Sequence, residues 1–423
     1  MRKRSLGAGR RRSERVWLQR HIAAPERMQN TRYTVWLHLP ALAAAWLAAA
    51  GLGAAEPLKL SSPMPYAVFQ RSPANSSRIP IHGVAAAPVS RLEAKVTLAP
   101  GYRERVDGRS SEFVEIARPA SREFHAWLEA PAGGWYTVTV RALDAAGGVV
   151  AEGTVSKVGV GEVFVAAGHS FCSNFQGDRP GKAEEDRVAT CIDWSTTPPE
   201  HLAFRHADDP LRPGDARRAS PWPAVGDVLV RQLHVPVLII STGIGGTTVE
   251  RWRTVAENPS SGDSSYAACR TTLQRWIPYT GIRALIWFGN ENDLNQGPTT
   301  EVFSDNFRRL ITRARADAGI PNLPWVIGFD AYDPGIAEKI GPVEMQRRKE
   351  RIDRGAQTVL ETVPFTYDGP QTDDLGPEFR RVDGDHFNEA GVRQLGIRFA
   401  RQITRAFFPP PIPEPQPPRE TTP

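Results

Sequence analysis

The sequence predicts an α/β protein in which a small antiparallel β-sandwich precedes a parallel sheet with helices on both faces. Residues 57–157 consist of short alternating runs separated by turn residues, which is typical of antiparallel strands. After about residue 158, near-continuous apolar runs alternate with helical stretches, which is typical of strands buried on both faces. The length of 423 residues suits about two domains.

Four segments follow from these patterns. We expect a leader at 1–55, a β-sandwich domain at 56–157, an α/β domain at 158–408 and a tail at 409–423. The tail is rich in proline and is therefore predicted to be disordered.

The leader has the features of an export signal. A second start is available at Met28, an apolar stretch covers about 35–52, and Gly53-Ala54-Ala55 offers small residues for cleavage. We therefore predict a signal peptide that begins at Met28, and a mature protein that is exported to the periplasm or secreted. No integral membrane span is expected in that mature protein, and a retained membrane anchor is the alternative.

The folded part of the chain is expected to be slightly acidic. Residues 1–55 contain ten Lys/Arg and two Asp/Glu and therefore carry +8, whereas the whole chain carries +5. Residues 56–423 thus carry −3. A nucleic-acid-binding domain needs a basic surface of its own, so nucleic acid is excluded as a partner.

Alternating runs define the strands of the predicted sandwich. Residues 92–98 alternate between apolar and polar side chains, and residues 135–141 repeat the pattern after Gly133-Gly134. Gly147-Gly148 then separates this run from the next one. Closely spaced turns of this kind favour antiparallel hairpins.

Apolar runs and helical periodicity define the α/β part. The strands of the parallel sheet are predicted at 163–167, 235–240, 284–288 and 325–329. A helix of about 18 residues is predicted to begin at Thr300 as its cap and to end at Gly319. The last helix is marked by apolar residues at helical spacing, namely Val392, Leu395, Phe399, Ile403 and Phe407.

The three cysteines leave two interpretations open. An oxidising compartment permits one disulfide, and Cys172 and Cys191 are the nearer pair in sequence. Three buried free thiols, with Cys269 as the third, are the alternative. The spacing fits no zinc site, so no metal is expected.

Polar residues follow the first two predicted strands of the parallel sheet. Ser170 comes directly after the first strand, where its hydroxyl is exposed and neighbouring backbone N–H groups can meet an oxyanion. A helix cap is the alternative role for Ser170. The glycine-rich run 243–246 follows the second strand and lets the backbone approach a ligand, although a plain flexible turn has the same composition.

The third strand and the final helix contribute further polar residues. Asn290 and Asn292 follow the third strand, and their amides can donate to an oxyanion or simply belong to a polar loop. Asp383 stands three residues before His386, a spacing that lets a carboxylate orient an imidazole. Metal binding or helix capping are alternative roles for these aspartates.

Taken together, these strand ends predict an acyl-transfer site. Ser170 is the candidate nucleophile, His386 the base and Asp383 the group that orients it. Gly246 contributes a candidate backbone N–H between them in the chain.

The same residues resemble the sialate O-acetylesterase-like and acetylxylan-esterase-like branch of the SGNH hydrolase superfamily. The blocks that carry the resemblance are 161–170, 245–252, 284–293 and 383–391. The resemblance implies a flavodoxin-like three-layer α/β/α domain and removal of acyl groups from carbohydrates without a metal or other cofactor. It also implies that Ser170 and Gly246 supply backbone N–H groups to the oxyanion hole.

Two blocks depart from this branch. The usual Gly-Gln-Ser-Asn is Gly168-His169-Ser170-Phe171, and the usual Gln-Gly-Glu is Gly289-Asn290-Glu291. The side chain that completes the oxyanion hole is therefore open between Asn292 and Asn290. An altered substrate or weak activity is expected from such changes.

The predicted function is that of an exported serine esterase that removes O-acyl groups, chiefly acetyl, from an acylated carbohydrate through an acyl-enzyme. Four residues are assigned to substrate binding: His169, Asn174, Glu291 and Trp252. A non-catalytic glycan-binding protein on the same fold and an O-acyltransferase are the alternatives.

Overall fold

The structure is a computed structural model that describes residues 56–86, 89–104, 112–194 and 202–408. The predicted leader at 1–55 and the predicted tail at 409–423 lie outside the described residues. Within the described residues, no helix combines the length and the apolar character that a membrane crossing requires.

The N-terminal part is built from two layers of mostly antiparallel strands. Their bounds are β1 Glu56–Pro57, β2 Lys59–Ser62, β3 Val68–Gln70, β4 Ser76–Val84, β5 Arg91–Leu98, β6 Val114–Ala117, β7 Glu123–Pro131, β8 Trp135–Leu143 and β9 Val149–Gly168. Strands β2, β4 and β7 form one sheet, while β6, β5, β8 and β9 pair in that order in the other. Every second residue of β7 is buried, as expected for a strand with one face on a core.

The C-terminal part adds further strands to β9. These are β10 Val188–Cys191, β11 Phe204–His206, β12 Val237–Ser241, β13 Ala284–Phe288, β14 Trp325–Phe329 and β15 Thr366–Gln371. The spatial order is β11-β10-β12-β9-β13-β14-β15, in which only β11 is antiparallel to its neighbour. With β10 and β11 left aside, the strands counted from β9 follow the order 2-1-3-4-5 of flavodoxin-like sheets.

Helices cover this sheet on both sides. Their bounds are α1 Trp222–Leu233, α2 Val249–Glu257, α3 Ala267–Thr271, α4 Ile277–Thr280, α5 Glu291–Gln296, α6 Thr300–Ala318, α7 Pro334–Ile340, α8 Pro342–Thr362 and α9 Glu389–Phe407. Helices α1 and α9 pack together, and α2, α6 and α8 pack in a separate row. The predicted α/β/α architecture is confirmed.

Strand β9 connects the two parts. Its first half pairs with β8, and its second half pairs with β12 and β13 in the parallel sheet. The strand therefore crosses the predicted domain boundary at 157/158, and that boundary stays a prediction. Near the crossing, the buried carboxylate of Glu162 is bound by Arg71 and Arg283.

The individual elements agree closely with expectation. Three of the four predicted parallel strands lie within two residues of their predicted bounds, and the first, predicted at 163–167, is the last part of the much longer β9. Helix α6 begins one residue earlier than a cap at Thr300 would give, because its cap is Thr299, whose hydroxyl accepts from the N–H of Val302. Gly319 ends that helix in a left-handed conformation, which glycine adopts without steric cost.

Candidate active site

The candidate site lies where β9 and β13 end side by side. In flavodoxin-like sheets a crevice opens between the first and third strands, since the connections there run in opposite directions. Gly168 at the end of β9 has φ +138°, and a Cβ on it would stand 2.5 Å from the carbonyl oxygen of Phe288. Only glycine fits this close approach, and it turns the chain into the short 3-10 turn Ser170–Cys172.

Ser170 is 5% exposed, and its backbone and hydroxyl are held by different groups. Its carbonyl oxygen accepts from Nε2 of Gln176 at 2.8 Å. Its hydroxyl donates to Oε1 of Glu291 at 3.4 Å, a long hydrogen bond. The hydroxyl is thus only loosely held in this conformation.

His386 and Asp383 are paired as the sequence predicted. They lie in the loop before α9, where Nδ1 of His386 is 3.2 Å from Oδ2 of Asp383. Oδ1 of Asp383 also accepts from the backbone N–H of His386 at 3.0 Å, which fixes the loop around the pair. Nε2 of His386 is buried and has no hydrogen-bond partner within the described residues.

Ser170 and His386 are brought to the same crevice through shared neighbours. Oε1 of Gln176 accepts from the N–H of Phe387, so Gln176 links the serine turn to the histidine loop. The rings of Phe171 and His386 are 5.9 Å apart, and Phe175 stacks on His386 at 5.4 Å. No hydrogen bond joins the Ser170 hydroxyl to Nε2 of His386 in this structure, and the hydroxyl instead donates to Glu291.

Electrostatics favour a neutral imidazole on His386. Burial lowers its pKa below the usual 6.5, and the Asp383 carboxylate opposes that shift only in part. Burial raises the pKa of the Asp383 carboxyl, but the His386 imidazole and two backbone N–H groups lower it, and the net shift is downward. An unprotonated imidazole beside an ionised carboxylate has the charge states a general base requires.

The candidate oxyanion donors differ in availability. Gly246 is exposed at φ +66°, and its N–H has no acceptor in the part of the chain that the structure describes. Nδ2 of Asn290 is buried without an acceptor, while its Oδ1 receives Nε1 of Trp287 at 3.3 Å. Nδ2 of Asn292 donates to Oε1 of Glu291 at 2.8 Å, which leaves its second hydrogen unassigned.

Two residues predicted to bind substrate have structural positions instead. Asn174 is fully buried, and its side chain bonds Leu211, Gly214 and Asp215. Trp252 is 1% exposed, and it packs against core aromatic rings while its indole N–H donates to Thr247. We therefore withdraw both assignments, because neither side chain has surface or hydrogen-bonding capacity left for a ligand.

The other two predicted substrate-binding residues lie at the site but beneath its surface. His169 and Glu291 are both buried, and Nε2 of His169 is 2.7 Å from Oε2 of Glu291. The three cysteines are buried free thiols, which is the second of the two interpretations that the sequence left open.

Some functional positions escaped the sequence analysis. Asp215 accepts from the Ser173 hydroxyl and from the N–H of Gly245, so it ties the turn after β9 to the glycine-rich loop. Gln176 makes the link between Ser170 and Phe387 described above. Neither residue belongs to a recognisable motif, and nothing in the sequence marks the partners they meet.

Buried polar atoms without hydrogen-bond partners concentrate around Ser170. Within the described residues these include both ring nitrogens of His169, Nδ2 of Asn290, Oδ1 of Asp385 and Nε2 of His386. Folded proteins pair nearly all such atoms, and the exceptions often mark places where a ligand or water completes the set. Burial and the neighbouring Glu291 raise the pKa of Asp385 to about 8, so this carboxyl is largely neutral near pH 7.

A cavity lined mainly by polar side chains lies beside α2, the helix that follows the glycine-rich run. It has a volume of about 470 Å³, and its lining includes Thr248, Glu250, Arg251 and Gln296. Thr248 is two residues from Gly246, and Gln296 is on the same short helix as Asn292. The described residues contain no cluster of three or more His, Cys, Asp or Glu arranged to hold a metal ion.

Comparison with known proteins gives a family and a fold. Residues 161–405 match the family described as carbohydrate esterase, sialic acid-specific acetylesterase. A carbohydrate acetylesterase from Xanthomonas citri is similar in structure, with a TM-score of 0.51, 18% identity, and coverage of 83% of this chain and 74% of that one. This likeness supports the fold alone.

Two further solved structures resemble the chain more distantly. A protein from Arabidopsis thaliana has a TM-score of 0.41 at 17% identity, covering 57% of this chain and 96% of that one. A carbohydrate acetylesterase family member from Sinorhizobium meliloti has a TM-score of 0.33 at 13% identity, covering 58% and 98%. No curated protein sequence matches the chain.

Proposed function

The chain belongs to the carbohydrate esterase family of sialic acid-specific acetylesterases and is a carboxylic ester hydrolase, and from this membership we propose that it removes O-acetyl groups from carbohydrates through an acyl-enzyme on Ser170. One observation carries the proposal. His386 has a buried, unpartnered Nε2, its Nδ1 is paired with Asp383, and Gln176 ties its loop to the turn that bears Ser170.

The first step of the proposed reaction needs a change in the Ser170 side chain. We propose that rotation about its Cα–Cβ bond releases the hydroxyl from the long contact with Glu291 and brings it to Nε2 of His386. Resting sites often show such long or misaligned hydrogen bonds, which tighten only when substrate is bound. His386 then accepts the hydroxyl proton as Oγ attacks the ester carbonyl, and Asp383 stabilises the imidazolium that results.

The second half of the reaction reverses the roles. The imidazolium returns its proton to the leaving sugar oxygen as the C–O bond breaks, which leaves an acetyl group on Ser170. His386 next removes a proton from water, whose oxygen attacks the acetyl carbonyl. Acetate leaves, and the serine hydroxyl regains its proton.

The oxyanion that forms in both steps is proposed to meet the N–H of Gly246, the backbone N–H of Ser170 and one side-chain amide. Gly246 supports this role because it is exposed and its N–H is unused. Asn290 and Asn292 both stand at the start of α5. Asn292 is the better candidate, because Glu291 holds one of its amide hydrogens and so orients the other.

A hydroxyl-rich leaving group is favoured by the cavity beside Gly246. Its lining includes threonine, glutamate, arginine and glutamine side chains, which can exchange hydrogen bonds with a sugar. A lipid alcohol would require an apolar channel instead. We also propose that the protein acts outside the cytoplasm, on the strength of the predicted signal peptide, and cell fractionation of a C-terminally tagged chain tests this.

The deciding experiment uses a serine-reactive fluorophosphonate probe and p-nitrophenyl acetate with the purified wild type, Ser170→Ala and His386→Ala. We expect labelling and hydrolysis in the wild type, neither in Ser170→Ala, and hydrolysis reduced at least about 10³-fold in His386→Ala. The proposal would be refuted by a folded wild-type protein that neither reacts with the probe nor hydrolyses the ester. Acetate release from an acetylated sugar, compared with acetyl transfer to an added sugar, then separates hydrolysis from acyl transfer.

A further inference from the structure

The histidine beside Ser170 occupies an unusual position under the candidate site. His169 has no exposed surface, and its ring lies between the backbone of Gly289 and the carboxyl group of Glu291. The proposed reaction assigns no step to it. A buried imidazole without a structural explanation is a reason to ask what it holds in place.

Gly289 shows how tightly the ring is placed. A Cβ on residue 289 would overlap the Cε1 and Nε2 atoms of His169, and the glycine has φ +101°, a conformation that other residues rarely adopt. The ring therefore rests directly on the main chain after β13. On its other side it contacts the ring of Phe171, at a centroid distance of 5.5 Å.

Glu291 connects this ring to the reactive residues. Its Oε2 is 2.7 Å from Nε2 of His169. Its Oε1 accepts from Nδ2 of Asn292 at 2.8 Å and from the hydroxyl of Ser170 at 3.4 Å. If His169 anchors one oxygen of the carboxyl group, the other oxygen can point only towards Asn292 and Ser170.

We propose that His169 is a positioning residue which, by fixing Glu291, holds the amide of Asn292 and the hydroxyl of Ser170 in their resting orientation. This inference rests on the proposed function, because it gives a role to the same site. The amide of Asn292 has two hydrogens, and with one held by Glu291 the second is directed into the site as an oxyanion donor.

Protonation states agree with this arrangement. Burial lowers the pKa of His169 to about 4, and burial together with the charge of Asp330 raises the pKa of Glu291. Both groups are then neutral, and we infer that the 2.7 Å contact is a hydrogen bond from the carboxylic O–H of Glu291 to Nε2 of His169, two atoms that otherwise have no hydrogen-bond partner within the described residues. The other carboxyl oxygen accepts from Asn292 and Ser170. Other titratable groups that act on His169 or Glu291 are Asp293, Asp330, Asp333 and Asp385.

The kinetic test compares His169→Gln with His169→Leu. A glutamine can still exchange a hydrogen bond with Glu291, whereas a leucine fills similar space without one. With p-nitrophenyl acetate we expect kcat to fall about 10²-fold in His169→Leu at little change in KM, since loss of one oxyanion donor costs about 10²–10³-fold. We expect His169→Gln to stay within about tenfold of the wild type, and His125→Leu, an exposed histidine in β7, serves as the control.

Equal rates in the glutamine and leucine variants, at equal thermal stability, would overturn the proposal. Crystal structures of the two variants supply a readout that does not need activity. We expect Glu291 to keep its contacts with Asn292 and Ser170 in His169→Gln and to lose them in His169→Leu. If Glu291 is unmoved in His169→Leu, the positioning role fails, whereas a wild type that neither hydrolyses esters nor labels refutes only the proposed function.

Discussion

Two buried glutamates differ in how their charge is compensated. One lies where the parallel strands begin, and the other lies where they end. Glu162 lies in β9 near its crossing between the two sheets, and it binds Arg71 at 2.5 Å, Arg283 at 2.8 Å and the amide of Gln70 at 3.0 Å. Glu291 lies after β13 and, within the described residues, is bound by no arginine or lysine.

The contrast separates a carboxylate that supports the fold from a carboxyl group that belongs to a site. A buried charge persists only where opposite charges and hydrogen bonds compensate its lost hydration, and around Glu162 this compensation is complete. Around Glu291 the compensation is incomplete, and the neighbouring polar atoms are unpartnered as well. Incomplete pairing next to Ser170, the proposed nucleophile, indicates that a ligand is expected there.

The largest effect should come from Ser170→Ala. This variant tests whether ester hydrolysis takes place at the end of the parallel strands where Glu291 lies. We expect ester hydrolysis to fall by about 10⁴-fold or more, because no other hydroxyl replaces the nucleophile, while thermal stability changes little. Hydrolysis of p-nitrophenyl acetate and a melting curve measure the two quantities. Ser156→Ala, in the antiparallel part of β9, is the matched control and should hydrolyse the ester at the wild-type rate. A Ser170→Ala variant with a near wild-type rate would contradict the assignment of Ser170 as the nucleophile.

Asp383→Asn should reduce kcat by about 10²–10⁴-fold, because the amide can no longer stabilise the imidazolium. In the wild type, kcat/KM should fall as pH decreases through the pKa of His386, which burial places below 6.5. Since the Asp383 charge raises that pKa, its removal should move the acid limb to still lower pH. The other groups that act on the pKa of His386 are Arg381 and His169. An acid limb that moves to higher pH in Asp383→Asn would refute the role given to the Asp383 charge.

Replacing each buried glutamate by glutamine tests the comparison itself. Glu162→Gln should cost about 3 kcal/mol of unfolding free energy, since Arg71 and Arg283 then lack their counter-charge. Glu291→Gln should cost less than about 1 kcal/mol and keep activity within about tenfold, since the amide imitates a protonated carboxyl group. Urea unfolding and initial rates measure both, and a Glu291→Gln loss as large as that of Glu162→Gln would mean that both glutamates are charged.

Asn174→Ala should have the smallest effect on the chemistry. It removes buried hydrogen bonds to the 211–215 loop and should cost about 2 kcal/mol of stability, because the carbonyl and the N–H of Leu211 both lose their partner. We expect KM for an acetylated sugar to be unchanged, as the side chain does not reach the crevice. A KM increase at unchanged stability would restore Asn174 to the substrate-binding residues.

Much of the fold was predictable because the inner strands are continuous apolar runs. Strand β15 was missed, since Gly369 and Pro370 interrupt it and neither residue favours a strand. Helix α8 was missed because most of its surface is polar and only a narrow stripe of it is buried. Periodicity identifies elements with a wide apolar face and loses those that contribute little to the core.

The order of the site residues along the chain could be predicted, but the contacts between their side chains could not. Parallel strands place their carboxyl ends at one edge, so Ser170 and Asn290 were expected to be neighbours. The fit of the His169 ring on Gly289, about 120 residues further along the chain, depends on strand register and side-chain packing that the sequence does not display. For the same reason Asn174 and Trp252, which lie near motif residues in sequence, were wrongly given a substrate role.

The continuity of β9 bears on how small this enzyme can be made. A fragment that starts at residue 158 would keep the half of β9 that leads to Ser170. It would lose β8, which covers the edge of β9 up to Gly159, and β3, which pairs with residues 159–161. It would also lose Arg71 while retaining Glu162. We therefore expect such a fragment to aggregate rather than yield a minimal catalyst, and a miniaturised version would need a redesigned edge and an apolar residue in place of that glutamate.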